Sequence, residues 1–409
     1  MNPRSRRALP VILFTVLLDL VSTSILIPIL PVLFANPDSP AYLLSAGTPV
    51  AYGYIILGLL IGAWPVAQFF AAPVLGELSD IYGRKKILAL SVAGTCLSLL
   101  LFSYGALVKS LTVLFVSRIV GGITGGNIVV AQAVIADVTP VRERGKNFGL
   151  IGAAYGIGFI LGPIIGGLLS DGRLYSWFSV LTPFLFAAGL EVVNLVAIFV
   201  FLPETGEEGE RSRPSWFIAF RHLVAAYDMK GLRSVFASNF FLQAGFSFFA
   251  TFFSVYLIHR FGFGQKGIGL YFAYGGICLA LAQAVVVRLL AKRFESAAIL
   301  RWSLLLGSFT ILGYYFPHSL AGLLFIMPLL AVANGLSMAL LPALVSERAS
   351  PRMQGEVLGI NMSLQSLAQA IPPILSGFLA AELAPETPVY VAGIVVFAAW
   401  VIFVLGVKK

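Results

Sequence analysis

The sequence predicts an all-α membrane protein with twelve transmembrane helices in two related six-helix bundles. Composition is the first reason. Of 409 residues, 59% are hydrophobic and only 11% charged, whereas a soluble chain carries about 25% charged residues. Segment length is the second. Twelve apolar stretches each supply the roughly 20 residues needed to cross a ~30 Å hydrocarbon core. The third is the placement of basic residues, which alternates from one connection to the next. An ordinary soluble enzyme is excluded. Helices are expected because backbone groups in lipid must be satisfied within the segment.

The stretches follow in order. Span 1, 9–34, comes after Arg4, Arg6 and Arg7, as a signal sequence would. It is too long for one and no small-residue cleavage site follows, so it reads as retained. Spans 2 and 3, 50–75 and 87–108, flank a short charged loop. Spans 4 and 5, 111–136 and 147–170, are rich in glycine, and span 6, 178–202, completes the first half. Residues 203–233 hold Glu204, Glu207, Glu208 and Glu210 with several arginines and read as a linker. Within it FIAFRHLVAAY fits an amphipathic surface helix, with Trp216 and Phe217 as interfacial anchors. Spans 7 to 12 are 234–258, 267–291, 298–316, 320–345, 354–381 and 388–407. The domains expected are therefore 1–202, the linker 203–233, and 234–409.

Basic residues set the orientation. If the N-terminus is cytoplasmic, only Lys109, Arg173, Arg260 and Lys266 lie outside, and Arg118 falls within a span. The other 22 of the 27 Lys and Arg lie inside. Both termini are then cytoplasmic. The net charge of +9 is a consequence of topology and of anionic headgroups, so no nucleic-acid partner is expected. Cys96 and Cys278 lie in separate spans and suggest no disulfide framework. His222, His259 and His318 are far apart in sequence, and no metal site is expected.

The halves look related. A shift of 210 residues sets Phe115 on Phe325, Gly125 on Gly335, Asp137 on Glu347, Pro163 on Pro373 and Gly167 on Gly377. RLLAKRFESAAIL, 288–300, is a degraded copy of GELSDIYGRKKIL, 76–88. Two six-helix repeats suggest a transporter with its substrate site between them.

GELSDIYGRKKIL packs five charges into thirteen residues. Gly76, Leu78, Asp80, Gly83, Arg84 and Lys85 resemble the G-x-L-x-D-x-x-G-[RK]-[RK] loop motif of the major facilitator superfamily, with Ile81 in place of the usual basic residue. In that family the Asp–Arg pair is joined by an acidic residue ending helix 4, and Asp137 stands at that place. The resemblance implies a charged latch that gates two halves. RIVGGITGG, 118–126, is similar to the helix-4 segment of the family. GFILGPIIGG, with Gly158, Gly162, Pro163, Gly166 and Gly167, resembles its helix-5 antiporter motif. LLDLVSTSILIPILP, 17–31, with Gln68 and Pro73, is similar to the tetracycline-resistance-like branch of drug:proton antiporters. That branch implies the bacterial inner membrane. Its tetracycline exporters carry an acidic residue midway in helix 3, a helix-8 His and a helix-9 Asp. This chain lacks all three, so tetracycline–metal chelates are not the expected substrate.

Three ionisable residues lie deep in spans: Asp19, Arg118 and Glu191. A charge at mid-helix costs roughly 2.5–3.5 kcal/mol on insertion scales, so each calls for a reason. At 1.5 Å per residue, Asp19 lies roughly 15 Å into span 1 and Arg118 about 10 Å into span 4. Either Asp19 exchanges a proton with Arg118 tuning it, or the two form a static pair that fixes packing. Glu191, with Asp19 and Arg118 a proton-coupling candidate and next in line should Asp19 not carry the proton, either faces a cavity or supports packing. Gln68, Asn127, Gln243, Tyr271, Tyr274, Asn334, Gln365 and Gln369 are the substrate-binding candidates. Gln365 and Gln369 share a helical face at i,i+4. Most of the 33 Phe are expected to face lipid or other helices.

The expected function is secondary active export of an amphipathic organic compound in exchange for protons. No G-x-x-x-x-G-K-[ST] loop occurs, and no nucleophile–base–acid set suggests an enzyme. The alternatives are a facilitator or symporter of a small polar solute bound by Asp19 and Arg118, and a non-transporting sensor of the same fold. The expected partners are the substrate, protons and the bilayer, with no cofactor and a monomeric chain.

Overall fold

The computed structural model describes residues 3–45, 47–139, 144–205, 224–226, 228–229, 232–348 and 354–407. Among these, all regular structure is helical. Eleven helices are long and apolar enough to cross a membrane, and Ala8–Ser24 adds a shorter apolar one. The chain is a multi-pass integral membrane protein.

Helix boundaries follow local chemistry. Span 1 is helical over Pro3–Ser24, turns, and resumes as Leu30–Phe34. The break, residues 25–29, contains Pro28, which lacks an N–H and whose ring clashes with the preceding turn. Spans 2 and 3 are Val50–Tyr82 and Arg84–Leu107. They are separated only by Gly83 at φ +98°, a conformation that suits glycine and strains any other residue.

Span 4, expected to be continuous, is two helices, Leu111–Thr124 and Asn127–Val138. Gly125 and Gly126 make the break. A Cβ on Gly126 would sit 2.9 Å from Cα of Ala72, so glycine permits span 2 to approach there. The Gln68 amide donates to the Gly125 carbonyl at 2.7 Å, which satisfies a polar group inside the membrane. Spans 5 and 6 are Arg144–Leu169 and Thr182–Phe201.

Span 7 is Arg233–Phe261. Span 8 runs Gln265–Leu281, then a π-helical turn Ala282–Val287, then Arg288–Ala291. Spans 9 to 12 are Ser296–Gly313, Leu320–Arg348, Gln354–Glu382 and Thr387–Gly406. The expected linker helix, with Trp216, Phe217 and His222, lies largely outside the described residues.

Packing divides the chain into two units. The first comprises Met1–Val32, Ala63–Ile218 and Gln265–Ala273; the second comprises Leu33–Gly62, Ala219–Gly264 and Tyr274–Lys409. Each takes in a short segment from the other half of the sequence. The core of the first unit gathers Ile12 and Val16 of span 1, Leu88 and Val92 of span 3, and Val130 and Val134 of span 4. In the second unit the Phe-rich span 7 turns inward. Phe249 stacks on Phe253 at 4.4 Å, and Phe253 meets Tyr314 edge-on at 4.9 Å. The Tyr256 hydroxyl donates to the Tyr314 carbonyl at 2.8 Å.

The internal repeat is visible as two equivalent seams. In the first unit, a Cβ on Gly269 would collide with the Pro163 carbonyl oxygen and lie 3.3 Å from Cα of Gly167. In the second, a Cβ on Gly58 would collide with the Pro373 carbonyl oxygen and lie 2.9 Å from Cα of Gly377. Pro163 and Pro373, and Gly167 and Gly377, are the pairs aligned by the 210-residue shift. Small residues let helices approach closely where no hydrophobic gradient drives them together.

Candidate functional site

In the first unit, span 1 presents Thr15, Asp19 and Ser22 at i, i+4 and i+7, which places them on one helical face. Asn127, buried and first in the second helix of span 4, donates its amide to Oδ1 of Asp19 at 2.8 Å. The glycine break creates that helix start. The half-buried Asp19 carboxylate therefore sits at the N-terminus of a twelve-residue helix. The positive end of a helix dipole favours an anion there.

The static Asp19–Arg118 ion pair, one of the two alternatives, is not formed. Arg118 is 5% exposed and held by rings: its guanidinium lies 5.1 Å from the Trp64 ring centroid and 4.7 Å from that of Phe102. Phe102 in turn stacks on Phe184 at 4.6 Å. Nε and Nη2 of Arg118 have no hydrogen-bond partner. Cation–π contact replaces the carboxylate that sequence position suggested.

Glu191 lies on span 6 with no exposure. The Asn194 amide donates to its Oε2 at 3.1 Å and to the Thr15 carbonyl at 3.4 Å. Ser22 donates to the Ala187 carbonyl at 3.5 Å and also faces Glu191. Cys96 of span 3 donates to the Ala188 carbonyl at 3.5 Å. Thr15, Ser22, Trp64 and Phe102 were not singled out from sequence. The first two could have been found by the i, i+4, i+7 spacing around Asp19. The rings could not, because nothing in their spacing points to Arg118.

The loop between spans 2 and 3 is a charged knot. Arg84 pairs with Asp80 at 2.5 Å and with Asp137 at 3.1 Å, and donates to the Ser79 hydroxyl at 2.6 Å. Glu204 accepts from the backbone N–H groups of Arg84 at 2.8 Å and Lys85 at 3.3 Å, so it caps the start of span 3 with negative charge. A Cβ on Gly83 would lie 2.6 Å from Oε2 of Glu204. A Cβ on Gly76 would meet Val129 at 3.2 Å.

Span 5 uses its glycines on two faces. Gly158, Gly162 and Gly166 lie against Leu20, Ser24 and Ile25 of span 1, while Gly167 meets Gln265 and Gly269 of span 8. The Ser24 hydroxyl donates to the Gly158 carbonyl at 2.8 Å. Pro163 lies between these faces and aims its carbonyl at Gly269.

The substrate-binding candidates are scattered. Gln68 is committed to Gly125 and Asn127 to Asp19. Tyr271 is buried in the first unit; Tyr274 belongs to the second, where its hydroxyl donates to the Leu324 carbonyl at 3.0 Å. Gln243 is buried, Gln365 half-buried and Gln369 exposed. Asn334 lines a small cavity of about 10 Å³ with Leu242, Phe246 and Ser303. That space holds about one water and no organic substrate. No group of three or more His, Cys, Asp or Glu able to hold a metal occurs among the described residues.

Known proteins place this arrangement in context. The profile described as Major Facilitator Superfamily matches residues 12–373 and 235–409. The class C tetracycline resistance protein of Escherichia coli is 33% identical over 378 residues, 91% of this chain and 89% of that protein. The quinolone resistance protein NorA of Staphylococcus aureus is 28% identical over 405 residues, 98% and 96% of the two chains. The crystal structure of the human organic anion transporter MFSD10 superposes with a TM-score of 0.72 at 26% identity, covering 98% of this chain and 100% of that one. With the span 2–3 loop motif, the glycine-rich span 5 and the duplicated seams, these matches make the chain a membrane transporter, not an enzyme, and a member of the major facilitator superfamily.

Proposed function

We propose that this chain exports an amphipathic organic compound in exchange for protons, by alternating access, with Asp19 as the exchange site. The Asp19–Asn127 contact is the observation that carries this reading. Asp19 is an acid within a membrane span, held by a neutral amide and a helix N-terminus rather than by a cation. Such a carboxylate can take up and release a proton without breaking an ion pair. The names of two relatives, a tetracycline and a quinolone resistance protein, support export of drug-like organic compounds. Both termini are assigned to the cytoplasm and the chain to the bacterial inner membrane, on the basic-residue asymmetry and those relatives.

Arg118 favours a second reading. Its two unpartnered nitrogens, Nε and Nη2, suit the carboxylate of an organic anion, the class named for MFSD10. In that case Arg118 binds substrate directly and protons need not be coupled.

The test uses everted vesicles with an acid interior and a pH-sensitive dye. A tetracycline, a quinolone and an aromatic carboxylate are added to wild type and to Asp19→Asn. Compound-dependent proton release that is lost in Asp19→Asn supports antiport through Asp19. Flux of labelled compound without proton movement overturns it in favour of the second reading.

A further inference from the structure

The seam between spans 1 and 6 has polar atoms that hydrogen bonding leaves unmatched. Glu191, Asn194 and Ser22 are fully buried and Thr15 is 1% exposed. Asn194 uses its nitrogen on Glu191 Oε2 and on the Thr15 carbonyl. Its own Oδ1, Oε1 of Glu191 and Oγ1 of Thr15 have no partner. The three oxygens belong to residues that the Asn194 amide nitrogen links, through Oε2 of Glu191 and the backbone carbonyl of Thr15. The titratable groups facing Glu191 are Asp19 on span 1 and Cys96 on span 3. Neither is a cation. The Arg84 ion pairs with Asp80 and Asp137 lie at the start of span 3, among other residues than these.

A bare carboxylate in this place would hold a full negative charge against one amide N–H and the Ser22 hydroxyl. The desolvation of such an ion amounts to several kcal/mol. Two unpartnered acceptors beside it would add to the cost. A proton on Glu191 removes the charge and turns Oε1 into a donor. The unpartnered oxygens of the two residues joined to it through Asn194, Oδ1 of Asn194 and Oγ1 of Thr15, are the acceptors the seam offers. A hard metal ion fits less well, since it takes about six oxygens and the nest offers three.

We propose that the seam is a second proton site, with Glu191 held as the carboxylic acid by Asn194 and Thr15 and within electrostatic reach of Asp19. The step is a proton transfer only. Glu191 gives its acid proton to an ionised Asp19, becomes a carboxylate, and is reloaded by a proton from solvent when the seam opens. The role in transport rests on proton exchange at Asp19, but the resident proton does not.

Infrared spectroscopy of the purified full chain in liposomes reads it directly. A carboxylic acid C=O band is expected at neutral pH in wild type, absent in Glu191→Gln, retained in Asp19→Asn and shifted in Thr15→Val. Absence of that band in wild type, or its persistence in Glu191→Gln, overturns the proposal. The wild-type spectrum needs no variant to fold, and Glu191→Gln preserves shape and the Asn194 contact. The vesicle assay separates the two claims. If Asp19→Asn keeps compound-dependent proton release, antiport at Asp19 fails while the band still decides Glu191. If Asp19→Asn loses release and Glu191→Gln leaves the ratio of protons to compound unchanged, antiport stands and the relay is overturned.

Discussion

The side-chain amide of Asn127 lies 2.8 Å from Oδ1 of Asp19 and joins span 1 to the helix that restarts after the Gly125–Gly126 break in span 4. A hydrogen bond to a charged group is worth about 1.5–3 kcal/mol. Asn127→Leu should therefore lower coupled transport about 10–100-fold at unchanged expression. Compound-dependent proton release in everted vesicles measures it. An Asn127→Leu protein with wild-type release would show that this contact does not position Asp19.

Arg118 is held by ring faces, so its shape matters as much as its charge. Lysine keeps the charge but lacks the planar guanidinium that stacks on Trp64 and Phe102. Arg118→Lys should destabilise the protein by about 1–2 kcal/mol. The readout is the thermal midpoint in detergent. Equal midpoints for Arg118→Lys and wild type would exclude stacking as the reason the charge is tolerated.

The two carboxylates on Arg84 should not be equivalent. Asp80 is 58% exposed and Asp137 27%, and exposed ion pairs contribute about 0–1 kcal/mol. Asp137→Asn is expected to cut transport more than Asp80→Asn. Arg84→Lys should resemble the stronger of the two, because one ammonium cannot reproduce a fork that reaches Asp80, Asp137 and Ser79. Initial rates of substrate efflux rank the three variants.

The duplicated seams predict matching glycine effects. Gly58→Ala and Gly269→Ala each drive a methyl into a proline carbonyl, of Pro373 and Pro163 respectively. Overpacking of this kind costs about 1–3 kcal/mol. Gly189→Ala is the control. No atom lies within 4 Å of its added carbon, so helix propensity should make it neutral or stabilising by about 0.5–1 kcal/mol. Thermal midpoints of the three variants check the contrast.

Much of the fold was legible because it depends on sums over adjacent residues. Apolar runs placed the spans. The breaks inside spans 1 and 4 were less legible. A run of apolar residues reads the same whether or not Pro28 or Gly125 interrupts the helix, since hydropathy does not register backbone geometry. At the candidate site, Asp19, Arg118 and Glu191 stood out as charges in apolar runs. Asn127 stood out less, as one polar residue among several.

By itself the sequence determined the membrane class, the two-part repeat, the charged loop around Arg84 and the kinship with a transporter family. All of these rest on composition, spacing and motifs carried by contiguous residues. Only the tertiary structure decided that Asp19 meets Asn127 rather than Arg118, that Arg118 lies between Trp64 and Phe102, and that Glu191 shares its seam with Thr15 and Asn194. The partner of a buried polar group depends on how far each helix is rotated and how closely its neighbour approaches. Those quantities are set within a few ångströms by packing between residues distant in sequence, such as Asn194 and Thr15, 179 positions apart.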